Sequence, residues 1–147
     1  FGSANASTLI ATSSYPYTNW SSKIKSTLTK LDGLATFSYN NITFAVGRNH
    51  VGRRTVFTEL GSIFGRKRTS LYLVNETTGL TYITDLPSAG DTAYAGVVLN
   101  ESECYISYYT SNINYDYPWV LGWLAESDIR IARINLTALI IFVESIS

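Results

Sequence analysis

Asp91 has the clearest potential for chemistry, because it lies in the small-residue turn SAGDT directly before a strand-like run. A carboxylate at the start of a strand can bind a ligand or act as an acid/base. The alternative is an Asx turn that caps the strand. Asp32, in the segment LDG, holds the equivalent place one unit earlier in the chain. If the two units are neighbours, we expect both carboxylates to converge on one site.

Arg48, Asn49 and His50 are predicted ligand contacts, because they stand together at the end of another strand-like run, where a long loop begins. Arg48 is predicted to bind a ligand carboxylate, because a guanidinium can grip both oxygens in a fork. His50 is the chain's only histidine, so we expect a hydrogen-bonding role and no metal site. The basic segment that follows is predicted to be a solvated loop that pairs with acidic neighbours. Its members are Arg53, Arg54, Arg66, Lys67 and Arg68.

Four aromatic residues share one long loop, which contains the segment YDYPWVLGW. Aromatic rings can stack on the apolar face of a sugar, and an exposed cluster of this density needs a ligand or a partner. The alternative is a hydrophobic lid that folds over the sheet. Tyr117 and Trp119 are the predicted ligand contacts. The other two members are Tyr115 and Trp123.

The composition excludes several classes of function. Net charge is zero and the pI is 6.8, so bulk attraction to nucleic acid or to an anionic membrane is not expected. No apolar run approaches the about 20 residues that a membrane helix needs. The single cysteine, Cys104, excludes an intrachain disulfide framework and is predicted to be buried. Phosphate-binding glycine loops and calcium-loop motifs are absent from the sequence, and no cofactor is predicted.

Asn-x-Ser/Thr sequons are dense for a chain of 147 residues. They favour a secreted, glycosylated protein; the alternative is chance matches in a chain rich in Ser, Thr and Asn. Because the chain begins at Phe1 without an initiator Met, we expect a processed or excised product. The sequon asparagines are Asn5, Asn19, Asn41, Asn75, Asn100 and Asn135.

The fold class is predicted to be all-β, because short β-branched and aromatic runs alternate with turns and helical periodicity is nearly absent. The repeated rhythm predicts propeller blades: outer strands of one blade in 1–30, a blade in 31–87 and the next blade in 88–147. The predicted strands are Ser7–Ser13, Trp20–Ser26, Leu34–Tyr39, Ile42–Arg48, Thr69–Val74, Leu80–Leu86, Ala93–Leu99, Cys104–Thr110 and Asp128–Ile134, with Leu139–Val143 as a candidate last strand.

The connections between these strands alternate in length, so successive connections should fall at opposite ends of each antiparallel unit. On this arrangement the sequons from Asn19 onward lie in or beside the short turns. The two aspartates, the Arg48–His50 segment and the aromatic loop lie at the long-loop end. Glycans are therefore predicted at one end and a binding site at the other.

Four segments carry a resemblance to a known family: LDGLATFSYNNITFAVGRNH, RTSLYLVNETTGLTYITDLPSAGDTAYAGVV, CYISYYTS and DIRIARI. They resemble the last two blades of bacterial sialidase-like propellers, the BNR or Asp-box relatives of exo-acting glycoside hydrolases. The family's Asp-box turn reads SSYPYTNW here, with Tyr15 and Tyr17 in the Asp and Gly places. The resemblance implies about two and a half four-stranded blades of a six-bladed ring.

The resemblance also implies an acidic sugar as ligand, held by an arginine cluster, and a tyrosine nucleophile with an aspartate acid/base. Here Tyr94 is the candidate axial tyrosine, Asp91 the acid/base and Arg48 the carboxylate clamp. Hydrolysis would require further blades from the same or another chain. The alternative is a lectin-like or structural glycoprotein subunit, in which oligomerised blades bind glycans without chemistry.

Overall fold

The computed structural model describes residues 7–51 and 61–146, and within them the protein is mostly antiparallel β-sheet. The all-β prediction is therefore confirmed at that level. The nine strands of these residues are β1 Thr8–Ile10, β2 Ile24–Ser26, β3 Asp32–Tyr39, β4 Ile42–Val51, β5 Arg66–Asn75, β6 Gly79–Asp85, β7 Thr92–Asn100, β8 Glu103–Ser111 and β9 Ser127–Asn135. Three helices accompany them: α1 Gly61–Phe64, α2 Trp119–Gly122 and α3 Leu136–Ile146.

These strands form three sheets in chain order: a first sheet of β1–β2, a second of β3-β4-β5-β6 and a third of β7-β8-β9. Short turns close the hairpins as predicted. Asn40 and Asn41 both have positive φ, 50° and 61°, which is the backbone of the type I′ turn that joins two twisted strands. The first sheet is shorter than predicted, although an isolated bridge between Ser13 and Trp20 continues its pairing.

The main core lies between the second and third sheets. Alternate residues of their facing strands are buried there, among them Phe44, Val46, Ile106 and Tyr108. Cys104 is in the same core with no exposed surface, which confirms its predicted burial, and desolvation raises the pKa of its thiol to about 11. The first strands of the two sheets, β3 and β7, contact each other. The long-loop ends of both sheets consequently meet.

The predicted strand Leu139–Val143 is wrong, because these residues belong to helix α3. Leu136, Leu139 and Val143 are buried at helical spacing and pack on the main core. The Asn135 Oδ1 accepts a hydrogen bond from the Ala138 backbone N–H at 2.9 Å, as a helix N-cap does. The third sheet therefore has three strands in the described residues. None of the described helices is long and apolar enough to cross a lipid bilayer.

Candidate functional site

Arg48 bridges the two aspartates that the sequence placed at equivalent turns. Its Nη2 lies 3.4 Å from the Asp32 Oδ2, and its Nη1 lies 3.5 Å from the Asp91 Oδ1. The three side chains retain only 14–22% of their exposure. Asp32 begins β3, Arg48 lies near the end of β4, and Asp91 directly precedes β7, so the contact between β3 and β7 brings them together. The predicted convergence of the two carboxylates thus occurs through a shared arginine.

Asp91 is the centre of this cluster, because three groups meet at its Oδ1. The indole Nε1–H of Trp119 donates a hydrogen bond at 2.6 Å, and the Tyr109 hydroxyl donates another at 3.0 Å. Arg48 supplies the third contact. In the part of the chain that the structure describes, no hydrogen bond or ion pair involves the Asp91 Oδ2. Among the described residues it has no donor, and we therefore call it the free oxygen of Asp91.

Lys67 and His50 also belong to the cluster, and His50 links Lys67 to Asp32. The Lys67 Nζ lies 2.6 Å from the His50 Nδ1, and the His50 Nε2 lies 3.1 Å from the Asp32 Oδ2. Burial, with the neighbouring Lys67 and Arg48 charges, lowers the pKa of His50, so the imidazole is neutral at pH 7. A neutral ring accepts from Lys67 at Nδ1 and donates to Asp32 at Nε2. The three groups therefore form a directed hydrogen-bond chain.

The prediction that Lys67 lies in a solvated loop is wrong. Lys67 is on β5 and has no exposed surface. Its Nζ lies 5.3 Å from the centroid of the Trp119 ring, and the Arg48 guanidinium lies 4.8 Å from the same centroid. Burial and the nearby Arg48 lower the pKa of Lys67 to about 8. Trp119 thus acts as an aromatic partner for two cations.

The pKa of Asp32 lies well below its usual range. Burial alone would raise it, but hydrogen bonds from His50 and Lys30, together with the Lys30 charge, outweigh that effect. The Lys30 Nζ lies 3.0 Å from the Asp32 Oδ1. Asp32 is therefore ionised and engaged through both oxygens, in contrast to Asp91.

The loop 112–126, which contains α2, is fixed over the second sheet by an ionic contact and by close packing. Asp116 pairs with Arg68 at 2.7 Å and with Arg66 at 3.2 Å, and both cations lie at the start of β5. A β-carbon added to Gly122 would lie 2.3 Å from the Asp91 backbone nitrogen, so only glycine allows α2 to come this close. The packing of α2 against the Asp91 turn sets the place of Trp119.

Two of the rings that pack against the hydrogen-bond partners of Asp91 are widely exposed. Tyr94 retains 75% of its surface and Trp123 retains 55%. Tyr94 stacks on Tyr109 with ring centroids 6.1 Å apart, and Trp123 packs edge-on against Trp119 at 4.8 Å. Tyr94 has a positive φ of 53° and lies in the irregular part of the β7–β8 pairing. At such an irregularity the side chains no longer alternate regularly between the two faces of the sheet, and this gives the Tyr94 ring its exposed position.

Two of the predicted contacts, Asn49 and Tyr117, have side-chain partners outside the cluster. The Asn49 Oδ1 accepts a hydrogen bond from the Thr29 hydroxyl at 2.8 Å, because alternate residues of β4 face opposite sides of the sheet. Tyr117 stacks on Tyr115 at 5.4 Å. Among the described residues no three His, Cys, Asp or Glu side chains are grouped to hold a metal ion. The cluster has six members, which we call the Asp91 site: Asp32, Arg48, His50, Lys67, Asp91 and Trp119.

The sequons that the structure describes lie away from the Asp91 site. Asn41, Asn75 and Asn100 are exposed at the short turns, and Asn135 is exposed at the end of β9 that pairs with Glu103. Asn19 is exposed in a hollow that it shares with Glu76. Asn5, Arg53 and Arg54 lie outside the described residues. The arrangement matches the predicted separation of sequons from the candidate site.

No protein-family model, no curated protein and no solved structure matches this chain.

Proposed function

We propose that the Asp91 site binds a carbohydrate. The observation that carries the proposal is the combination of a free carboxylate oxygen on Asp91 with the exposed rings of Tyr94 and Trp123. A sugar presents hydroxyl donors at its edge and apolar C–H groups on its faces. Carboxylate oxygens accept the hydroxyls, and aromatic rings cover the apolar faces.

Arg48 favours a ligand that is bound through hydroxyl groups. Both ends of its guanidinium already face carboxylates, those of Asp32 and Asp91. An acidic sugar would have to displace one of these aspartates, whereas a neutral sugar adds its hydroxyls to the free oxygen of Asp91. The acidic-sugar expectation is accordingly replaced in our proposal by a neutral glycan.

The surroundings of Tyr109 and Tyr94 favour binding without hydrolysis, because neither tyrosine is placed to act as a nucleophile. Burial and the Asp91 charge raise the pKa of Tyr109 to about 12, so its hydroxyl is a donor and not a nucleophile. The Tyr94 hydroxyl has no carboxylate partner among the described residues. An activated tyrosine needs an adjacent base, and the lectin-like alternative does not.

We propose further that the second and third sheets are neighbouring blades of a secreted, sialidase-like propeller. The consecutive order of β3 to β6, the contact between β3 and β7, and the quoted resemblance support this assignment. The exposure of every described sequon asparagine supports glycosylation and a secreted location. The proposed partners are a glycan and further blades of the same or another chain.

A further blade would cover the outer face of the third sheet. Val98, Ile129 and Ile131 lie on that face with 65%, 83% and 71% of their surfaces exposed. The opposite face of the same sheet already packs on a blade-like neighbour through Cys104 and Ile106. An apolar sheet face of this kind marks an interaction surface.

The chain alone is therefore expected to self-associate, because association would remove the apolar side chains of Val98, Ile129 and Ile131 from water. Light scattering should give a mass of several chains, and the double substitution Ile129→Lys and Ile131→Lys should reduce it to one. The control is Leu124→Lys, which changes an 87% exposed residue of the aromatic loop instead. A wild-type mass of a single 16.3 kDa chain would contradict the proposed blade face.

A glycan array with neutral and sialylated sugars tests the carbohydrate proposal. Wild-type protein should bind neutral glycans, and Asp91→Asn should lose at least tenfold in affinity, because the amide supplies a single oxygen that three donors of the protein already contact. The matched control is Asp128→Asn, an exposed aspartate at the start of β9. Binding confined to sialylated sugars would contradict recognition through hydroxyls, and the absence of any binding would contradict the carbohydrate proposal.

A further inference from the structure

The exposed rings of Tyr94 and Trp123 are each linked to Asp91 through a second aromatic ring. Tyr94 stacks on Tyr109, whose hydroxyl donates to the Asp91 Oδ1. Trp123 packs on Trp119, whose indole N–H donates to the same oxygen. Each exposed ring is thus backed by an inner ring, and both inner rings are fixed by one carboxylate atom. We call the first pair the tyrosine arm and the second the tryptophan arm.

The arms come from different parts of the fold, and each has its own support. The tyrosine arm belongs to β7 and β8 and lies against β3, where the Tyr94 backbone nitrogen would be 2.9 Å from a β-carbon added to Gly33. Gly33 has a positive φ of 55°, so a glycine both permits this turn and leaves room for Tyr94. The tryptophan arm belongs to the loop that carries α2, which is held by the Trp119 backbone N–H donating to the Gly65 carbonyl at 3.1 Å.

The exposure of the two outer rings indicates two separate stacking surfaces. The inner rings are largely covered: Trp119 lies under Arg48 and Lys67, and Tyr109 lies under Tyr94. Only the outer ring of each arm therefore presents a wide free surface. Each of these two free ring surfaces can take the apolar face of one sugar.

We infer that the ligand of the Asp91 site is an oligosaccharide of at least two linked sugars, with one sugar on each arm and the linkage over Asp91. The inference rests on the proposed carbohydrate function and specifies its ligand class. The free Oδ2 of Asp91 then accepts a hydroxyl from a sugar next to the linkage. The two arms make the site selective for a chain of sugars over a single sugar.

Calorimetric titration of the intact protein tests the inference with matched neutral probes: glucose, galactose and mannose against cellobiose, lactose and maltose. At least one disaccharide should bind at least tenfold more tightly than its component monosaccharides. Tyr94→Asn and Trp123→Ala should each bring this ratio close to one, because each removes one stacking surface. Asparagine is chosen at position 94 because it tolerates a positive φ better than most residues.

Trp20→Ala is the matched control, since Trp20 is 62% exposed but lies in the hollow beside Asn19. Its ratio of affinities should equal that of the wild type. Thermal melting shows whether each variant is folded, so that a loss of binding can be assigned to the missing ring. Equal affinities for monosaccharides and disaccharides, unaffected by Tyr94→Asn, would overturn the two-arm inference and leave the carbohydrate proposal standing. If neither class of sugar binds, both are overturned.

Discussion

Gly122→Ala is expected to abolish glycan binding and to lower the free energy of unfolding by about 2 kcal/mol. The added β-carbon would meet the Asp91 nitrogen at 2.3 Å and the Gly90 carbonyl carbon at 2.8 Å. Both are backbone atoms, which cannot rotate away as a side chain does. Helix α2 must therefore move away from the Asp91 turn. That movement separates the Trp119 indole from the Asp91 oxygen and breaks the tryptophan arm.

Urea unfolding measures the loss of stability, and titration with the best disaccharide measures the loss of binding. The control is Gly96→Ala, where the close atom among the described residues is the Ser107 hydroxyl oxygen at 2.8 Å, on a side chain that can rotate. That variant should keep its binding and most of its stability. Wild-type binding by Gly122→Ala would mean that the contact between α2 and the Asp91 turn does not set the site.

The second large effect is a contribution of Lys67 to stability that increases with pH. Its pKa is about 8 in the folded chain, against an ordinary value of 10.5. Between these values the Lys67 of the unfolded chain binds more protons than that of the folded chain, so the contribution of Lys67 to the free energy of unfolding rises with pH. From pH 8 to 10.5 this contribution changes the free energy of unfolding by about 3 kcal/mol. The stabilisation is complete above 10.5 and is lost as the pH falls through about 8.

Lys67→Met fills the same space without a titrating group, so the slope of the free energy of unfolding against pH should be lower than in the wild type by the Lys67 contribution. Urea unfolding at intervals from pH 7 upward gives the slope for each protein. Lys25→Met is the control, because Lys25 is exposed on β2 and its loss should leave the slope unchanged. Every variant retains Cys104, Tyr72 and Tyr109, whose raised pKa values lower stability above about pH 9 by the same amount in all of them, so the slopes are compared between proteins. An identical slope in Lys67→Met would show that the buried amine is not the cause.

Most strands were predictable because alternation on a half-buried sheet leaves a direct mark in the sequence. The last element was not. The run LTALIIFV is short and continuously apolar, and such a run is compatible with a strand or a buried helix. Asn135 held the information that distinguishes them, since an asparagine directly before the run is a helix N-cap. The same asparagine also begins a sequon, a pattern that is compatible with either structure.

Part of the site was predictable because the strand pattern also shows which residues lie at the strand ends. Strand ends placed Asp32, Arg48 and Asp91 at one end of their sheets, and the structure brings them together. Lys67 could not be assigned, because a cluster of basic residues before a strand is usual for a solvated loop. Its burial depends on Trp119 and His50, which reach it only in the folded chain. The free oxygen of Asp91 likewise depends on which donors face it.

The most direct test follows the three tryptophan indole N–H signals in a ¹H–¹⁵N spectrum while the best neutral disaccharide is added. If the Asp91 site binds the glycan, the Trp119 and Trp123 signals shift with the titration and the Trp20 signal stays in place. Trp119 reports on the Asp91 hydrogen bond, and Trp123 reports on the exposed ring beside it. Saturable binding that moves only the Trp20 signal, or none of the three, would contradict a glycan site at Asp91.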